Sequence, residues 1–129
     1  MVDALIPIVL IVEDTDYIAD IATRAIRQLG LDTHHCLTAE NAIEYMEQYS
    51  LPDLIILDIS MPGMNGWEFL EIIKQYEETE TIPVIISTVH SDAANRTIGK
   101  LREVDRYLIK PYLPQDLQKT VKAILGIED

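Results

Sequence analysis

A five-stranded parallel α/β sheet covered by helices on both faces is predicted by three observations. Strand-like runs alternate with helix-like segments five times along the 129 residues. Two of the runs, Pro7 to Val12 and Leu54 to Leu57, contain no polar residue, as strands buried on both faces do. Both end abruptly in acids, the first in Glu13-Asp14 and the second in Asp58. Parallel neighbours need crossover connections, and crossovers place helices on the sheet's faces.

The elements follow in order. After Asp16, apolar residues at Ile18, Ile21, Ala22, Ala25, Ile26 and Leu29 mark one helical face, and Gly30 supplies an end. Asp32 to Leu37 reads as a short, more polar strand. Thr38 is placed to cap a second helix that runs through Tyr49, with Ala42, Ile43 and Met46 facing inward. Pro52 precedes the third strand. Beyond Asp58 come the turn residues Met61-Pro-Gly-Met-Asn-Gly66, then a helix to about Tyr76 that buries Trp67, Leu70 and Ile73. Strand four is Val84 to Thr88, helix four Asp92 to Glu103, and strand five Arg106 to Ile109. Leu117, Val121, Ile124 and Leu125 mark the inner face of the last helix.

Composition narrows the function. At 48% hydrophobic residues, a chain of this length can bury one core, so a single domain is expected over 1–129. A net charge of -12 offers no basic stripe for nucleic acid and is repelled by an anionic membrane. With one cysteine, Cys36, no internal disulfide can form, and no opening segment has the pattern of a signal peptide. The expected setting is cytoplasmic and soluble. His34 and His35 are adjacent on a strand, point to opposite faces, and so cannot chelate one metal together. Cys36 reads as a small core residue, and Glu77-Glu78-Thr79-Glu80 as a solvated loop.

Glu13, Asp14, Asp58, Thr88 and Lys110 each fall at or just past a strand's carboxyl end, where open α/β sheets bind ligands. Singly, each has an ordinary explanation: helix cap, turn residue, strand-end threonine or exposed lysine. Together they form a site. Clustered carboxylates repel unless a cation or a proton offsets them, and hard oxygen ligands suit Mg²⁺, which recruits phosphate. Asp58 is then a candidate nucleophile forming an aspartyl phosphate. Lys110 supplies a point cation for one phosphoryl oxygen, and the Thr88 hydroxyl a hydrogen bond for another.

These residues, with the motifs around them, resemble the receiver domain of the two-component response regulators, and in length the stand-alone chemotaxis type. The resemblance rests on Val12-Glu13-Asp14, on Leu57-Asp58 with Met61-Pro-Gly-Met-Asn-Gly66, on Pro83-Val-Ile-Ile-Ser-Thr88, and on Tyr107-Leu-Ile-Lys110-Pro111. It implies a flavodoxin-like, doubly wound fold in three layers, with strand order 2-1-3-4-5 and five helices. It implies that Asp58 takes a phosphoryl group from a sensor histidine kinase or phosphotransfer protein. Mg²⁺ would be held by Asp14, Asp58 and the Ser60 backbone carbonyl, with Glu13 acting largely through a metal-bound water. It further implies that Thr88 moves toward the phosphoryl group as Tyr107 turns inward, and that the Lys110-Pro111 bond is cis. Docking of the kinase is implied around helix one and Pro111-Tyr112, and of a downstream protein on helix four, strand five and helix five. Such a protein is a switch, not an enzyme, catalysing only its own phosphotransfer and slow autodephosphorylation. A monomer or weak dimer is expected, with output through another molecule or a region beyond this chain.

Some positions depart from the family pattern. Val89 replaces a small residue and is expected to crowd the entrance to Asp58, and Glu103-Val104 replaces a Gly-Ala pair. Ser60 and His90 flank the site at positions that vary with the lifetime of the phosphorylated state. Two rival functions frame the tests. A metal-dependent phosphatase with an aspartate nucleophile usually has a second acid two residues on, where this chain has Ser60. A phosphorylation-independent docking module is expected to have lost the acid pair, Asp58 or Lys110, and this chain retains them all.

Overall fold

The computed structural model describes residues 5–89 and 106–128. The chain runs β1 (Ile8–Val12), α1 (Asp16–Arg27), β2 (Asp32–Cys36), α2 (Ala39–Gln48), β3 (Leu54–Asp58), α3 (Gly66–Ile73), β4 (Val84–Thr88), β5 (Arg106–Ile109) and α4 (Pro114–Leu125). All strand pairs are parallel, in the order β2-β1-β3-β4-β5. The fold is the flavodoxin-like α/β sandwich that the sequence predicts. Four helices lie among the described residues, and the expected helix at Asp92 to Glu103 falls outside them, as do His90 and Glu103-Val104.

The uninterrupted apolar runs are the central strands. β3 and β4 are buried at every residue, while the polar β2 takes one sheet edge and β5 the other. Alternate strand residues feed two cores. Leu10, Val12, Ile55, Leu57 and Ile86 pack with α2 and α3, and Val9, Ile11, Leu54, Ile56 and Ile85 pack with α1 and α4.

Two helices differ from their predicted faces. In α1 the residues turned to the sheet are Ala19, Ala22, Ala25 and Ile26, whereas Ile21 is exposed. The alanines let the helix backbone approach the sheet closely, which places Ile21 on the outward flank beside Tyr17. In α3 it is Phe69 that is fully buried with Leu70 and Ile73, and Trp67 is only half-buried. This helix also stops at Ile73, short of Tyr76. The Thr79 hydroxyl donates to the Ile73 carbonyl at 2.5 Å, taking an acceptor that a further turn would need. Thr79 is accordingly buried, so the acidic run around it is not wholly a solvated loop.

Local chemistry sets the helix starts. Thr38 caps α2 as expected, its side chain accepting from the Asn41 amide at 3.0 Å. Asn65 and Glu68 form a reciprocal capping box at the start of α3. Pro114 opens α4 with its φ already set for a helix.

Candidate functional site

Strand order reverses between β1 and β3, so their carboxyl ends flank the crevice where this sheet type binds ligands. The register is decisive. Val12 pairs with Leu57, and one further step brings Glu13 level with Asp58. Asp14 follows at the rim, exposed, while Glu13 and Asp58 are 3% and 5% exposed. Carboxylate oxygens of all three lie within 4.8 Å of one another.

Lys110 reaches this cluster from the end of β5. Its Nζ donates to Glu13 Oε1 at 2.5 Å and lies 3.6 Å from Asp58 Oδ2. The Lys110 amide donates to the Thr88 carbonyl at 2.8 Å, extending the β4–β5 ladder past its last register pair. The Lys110-Pro111 bond is cis, as the resemblance implies. Asp58 Oδ1 accepts from the Ser60 amide at 3.1 Å, closing a short side-chain turn.

The electrostatics follow from this packing. Burial pushes the Asp58 carboxyl up to about 7, and the neighbouring Glu13 adds to the shift, against opposing contributions from Lys110 and the Ser60 amide. A carboxyl held that high is short of positive charge. An oxygen-only donor set around it fits a hard divalent cation such as Mg²⁺, which would restore the ionised form. Asp14, Asp58 and Glu13 are the side chains present to hold it.

Other predicted residues are arranged on the same edge. Thr88 is buried at the end of β4, one step beyond Ser87, the register partner of Asp58. Its strand parity turns it to the α2–α3 side with Ile86, the side on which Tyr107 is half-buried. The Tyr107 ring lies 6.5 Å from that of Trp67. Val89 is 62% exposed and lines an apolar depression with Tyr17, Ile18, Ile21, Pro111 and Tyr112 beside Lys110. Cys36 is buried, and burial pushes its thiol up to about 11, so it is poorly suited to redox chemistry.

Three contributors were not read from the sequence. His35 Nε2 contacts the Glu13 carbonyl oxygen at 2.7 Å. Glu40 Oε2 accepts from the Met64 amide at 3.3 Å and so ties α2 to the turn after β3. Gly66 packs so tightly that a Cβ on it would stand 2.5 Å from the Asp58 carbonyl oxygen. The first two depend on contacts between elements that carry no local motif. Gly66 was visible only as one more turn residue.

Comparison with known proteins identifies the family and the fold. A family model described as the response regulator receiver domain matches residues 9–122. The phosphate regulon transcriptional regulatory protein PhoB of Rhizobium meliloti is 31% identical over 121 residues, 94% of this chain and 53% of that protein. The chain thus spans about half the length of the curated relatives it matches. The signal receiver domain of a signal transduction histidine kinase from Syntrophus aciditrophicus has a TM-score of 0.84 at 30% identity, covering 93% of this chain and 90% of that one. Chemotaxis protein CheY4 of Vibrio cholerae has a TM-score of 0.87 at 23% identity, covering 93% and 99%, a likeness of fold.

Proposed function

Since the chain belongs to the response regulator receiver family, whose standard function is that of a phosphoacceptor switch, we propose that Asp58 is its phosphoacceptor. The observation that carries this reading is the constellation itself: a buried carboxylate at the sheet's switch point, level with Glu13, beside Asp14 and 3.6 Å from Lys110.

An oxygen of Asp58 attacks the phosphorus of a phosphohistidine as the P–N bond breaks and the electron pair leaves with the imidazole. Mg²⁺, held by Asp14, Asp58 and the Ser60 carbonyl with Glu13 nearby, would supply positive charge to the transferring group. Lys110 then exchanges one partner for another. It gives up part of its hold on Glu13 and pairs with a phosphoryl oxygen, while the Thr88 hydroxyl donates to a second.

About two added negative charges at this edge favour the arrangement that brings donors toward them. Thr88 and Tyr107 share one side of the sheet, which supports reading them as the coupled switch. The proposed donor is a sensor histidine kinase or phosphotransfer protein, docking where α1 meets the Pro111-Tyr112 segment. Among the described residues no helix is long and apolar enough to cross a membrane.

Intact mass after incubation with acetyl phosphate and Mg²⁺ tests the proposal. One phosphoryl group on the wild type and none on Asp58→Asn is expected. Full labelling of Asp58→Asn would sink it, and multiple turnover on a small phosphate ester would favour a phosphatase.

A further inference from the structure

We propose that His35 is a positioning residue for Asp14, setting the direction from which that carboxylate meets the bound cation. The proposal rests on the phosphoacceptor reading of the same site and adds a residue to it from outside the acid, threonine and lysine positions.

Asp14 is the least supported of the three acids. It is exposed, and among the described residues no hydrogen bond or ion pair holds its side chain. Its aim therefore depends on the backbone that carries it. The preceding peptide unit joins the Glu13 carbonyl to the Asp14 nitrogen in one rigid plane, so fixing that carbonyl fixes the plane from which Asp14 emerges.

His35 grips that carbonyl, with Nε2 at 2.7 Å from the Glu13 oxygen. A carbonyl oxygen only accepts, so Nε2 carries the hydrogen. The same residue is held on its other side by the ladder, the Glu13 amide donating to the Cys36 carbonyl at 3.1 Å. Both main-chain groups of Glu13 are thus bound from the edge strand β2. Its side chain is bound as well, Oε1 accepting from Lys110 and Oε2 from the Thr15 amide at 3.3 Å. The Glu13 end of the loop is clamped, and Asp14 projects from it. β2 is itself steadied on the opposite face, where the His34 ring stacks on Tyr45 at 3.9 Å.

The contact is an outer-sphere one: His35 lies behind the acid pair and touches no reacting atom. Partners of this kind typically alter metal affinity by about tenfold or more when removed. The test is calorimetric titration with MgCl₂ alone of the wild type, His35→Leu, which keeps bulk but loses the donor, and His35→Gln, whose amide reaches a similar point. The expected result is an Mg²⁺ dissociation constant about tenfold higher for His35→Leu, with most of the affinity recovered in His35→Gln. If His35→Leu does not fold, His35→Ala serves in the same comparison.

Wild-type affinity in the donor-less variant overturns the proposal, as does a Gln variant no better than Leu. Wild-type protein that binds no Mg²⁺ overturns this proposal and the parent reading together. Mg²⁺ binding by the wild type without labelling of Asp58 defeats the phosphoacceptor reading alone, since the His35 comparison still gives its answer.

Discussion

Lys110 stands 3.6 Å from Asp58, yet its hydrogen bond goes to Glu13 at 2.5 Å. One ammonium therefore serves two buried carboxylates. Lys110→Met leaves both acids without that cation, and removal of one member of a buried ion pair typically costs about 3 kcal/mol. Urea denaturation in EDTA near neutral pH should show a loss of that order, with labelling of Asp58 by acetyl phosphate strongly slowed. An unchanged midpoint would mean that the two acids are not offset by Lys110.

The raised Asp58 pKa makes stability depend on pH in a definite direction. An unfolded aspartate ionises near 3.8, whereas burial and Glu13 hold Asp58 up to about 7. Between these values the folded chain keeps a proton that the unfolded chain has lost. This group's contribution is complete below the unfolded value and fades as pH rises through the folded one. Thermal midpoints in EDTA should thus fall from about pH 4 to about pH 7 more steeply for the wild type than for Asp58→Asn. Mg²⁺ favours the ionised carboxylate, so its stabilising effect should grow between about pH 6 and pH 8.

Gly66 has no room for a side chain. A Cβ there meets the Asp58 carbonyl oxygen at 2.5 Å and the Ile59 Cα at 2.8 Å, both backbone atoms that cannot swing aside. Gly66→Ala should cost about 3 kcal/mol, at the upper end of overpacking penalties, and should also slow labelling because the strained atoms belong to the phosphoacceptor itself and the residue after it. Gly30 is the control: its φ of 83° disfavours alanine, but nothing lies within 4 Å. Gly30→Ala should cost only about 1 kcal/mol and leave labelling intact. Equal effects would show that packing at Gly66 does not matter.

Ile21, Tyr17 and Val89 expose apolar surface around the depression beside Lys110. If this patch receives the phosphohistidine donor, Ile21→Glu should leave labelling by acetyl phosphate unchanged but reduce transfer from a phosphorylated protein donor about tenfold or more, as a charge placed in an apolar contact does. Equal loss with both donors would point to damage at the site itself.

Much of this protein was legible in residue order alone. Apolar runs broken by acids identified β1 and β3 and placed Glu13, Asp14 and Asp58 at their ends, because a strand buried on both faces can leave the core only at its termini. β4 and β5 coincide with their predicted bounds, and Thr38 caps α2 as read. These features are local, so composition and spacing encode them. Helix rotation was less legible: in α1, isoleucines and alanines share a stripe, and hydrophobicity cannot tell which will face the sheet. Close packing chose the alanines.

What only tertiary structure decided is which distant groups meet. The Val12–Leu57 register sets Glu13 level with Asp58, and the same sheet brings His35 of β2 onto the Glu13 carbonyl and Lys110 of β5 onto its carboxylate. The strand end and Pro111 placed Lys110 on this edge, but nothing beside it in sequence reveals its bond to Glu13, and nothing beside His35 reveals its contact. The acids themselves were determined by the sequence; the raised pKa of Asp58, the Lys110 contact and the clamp on Glu13 arise from strand order, because burial and distance exist only once the five strands lie side by side.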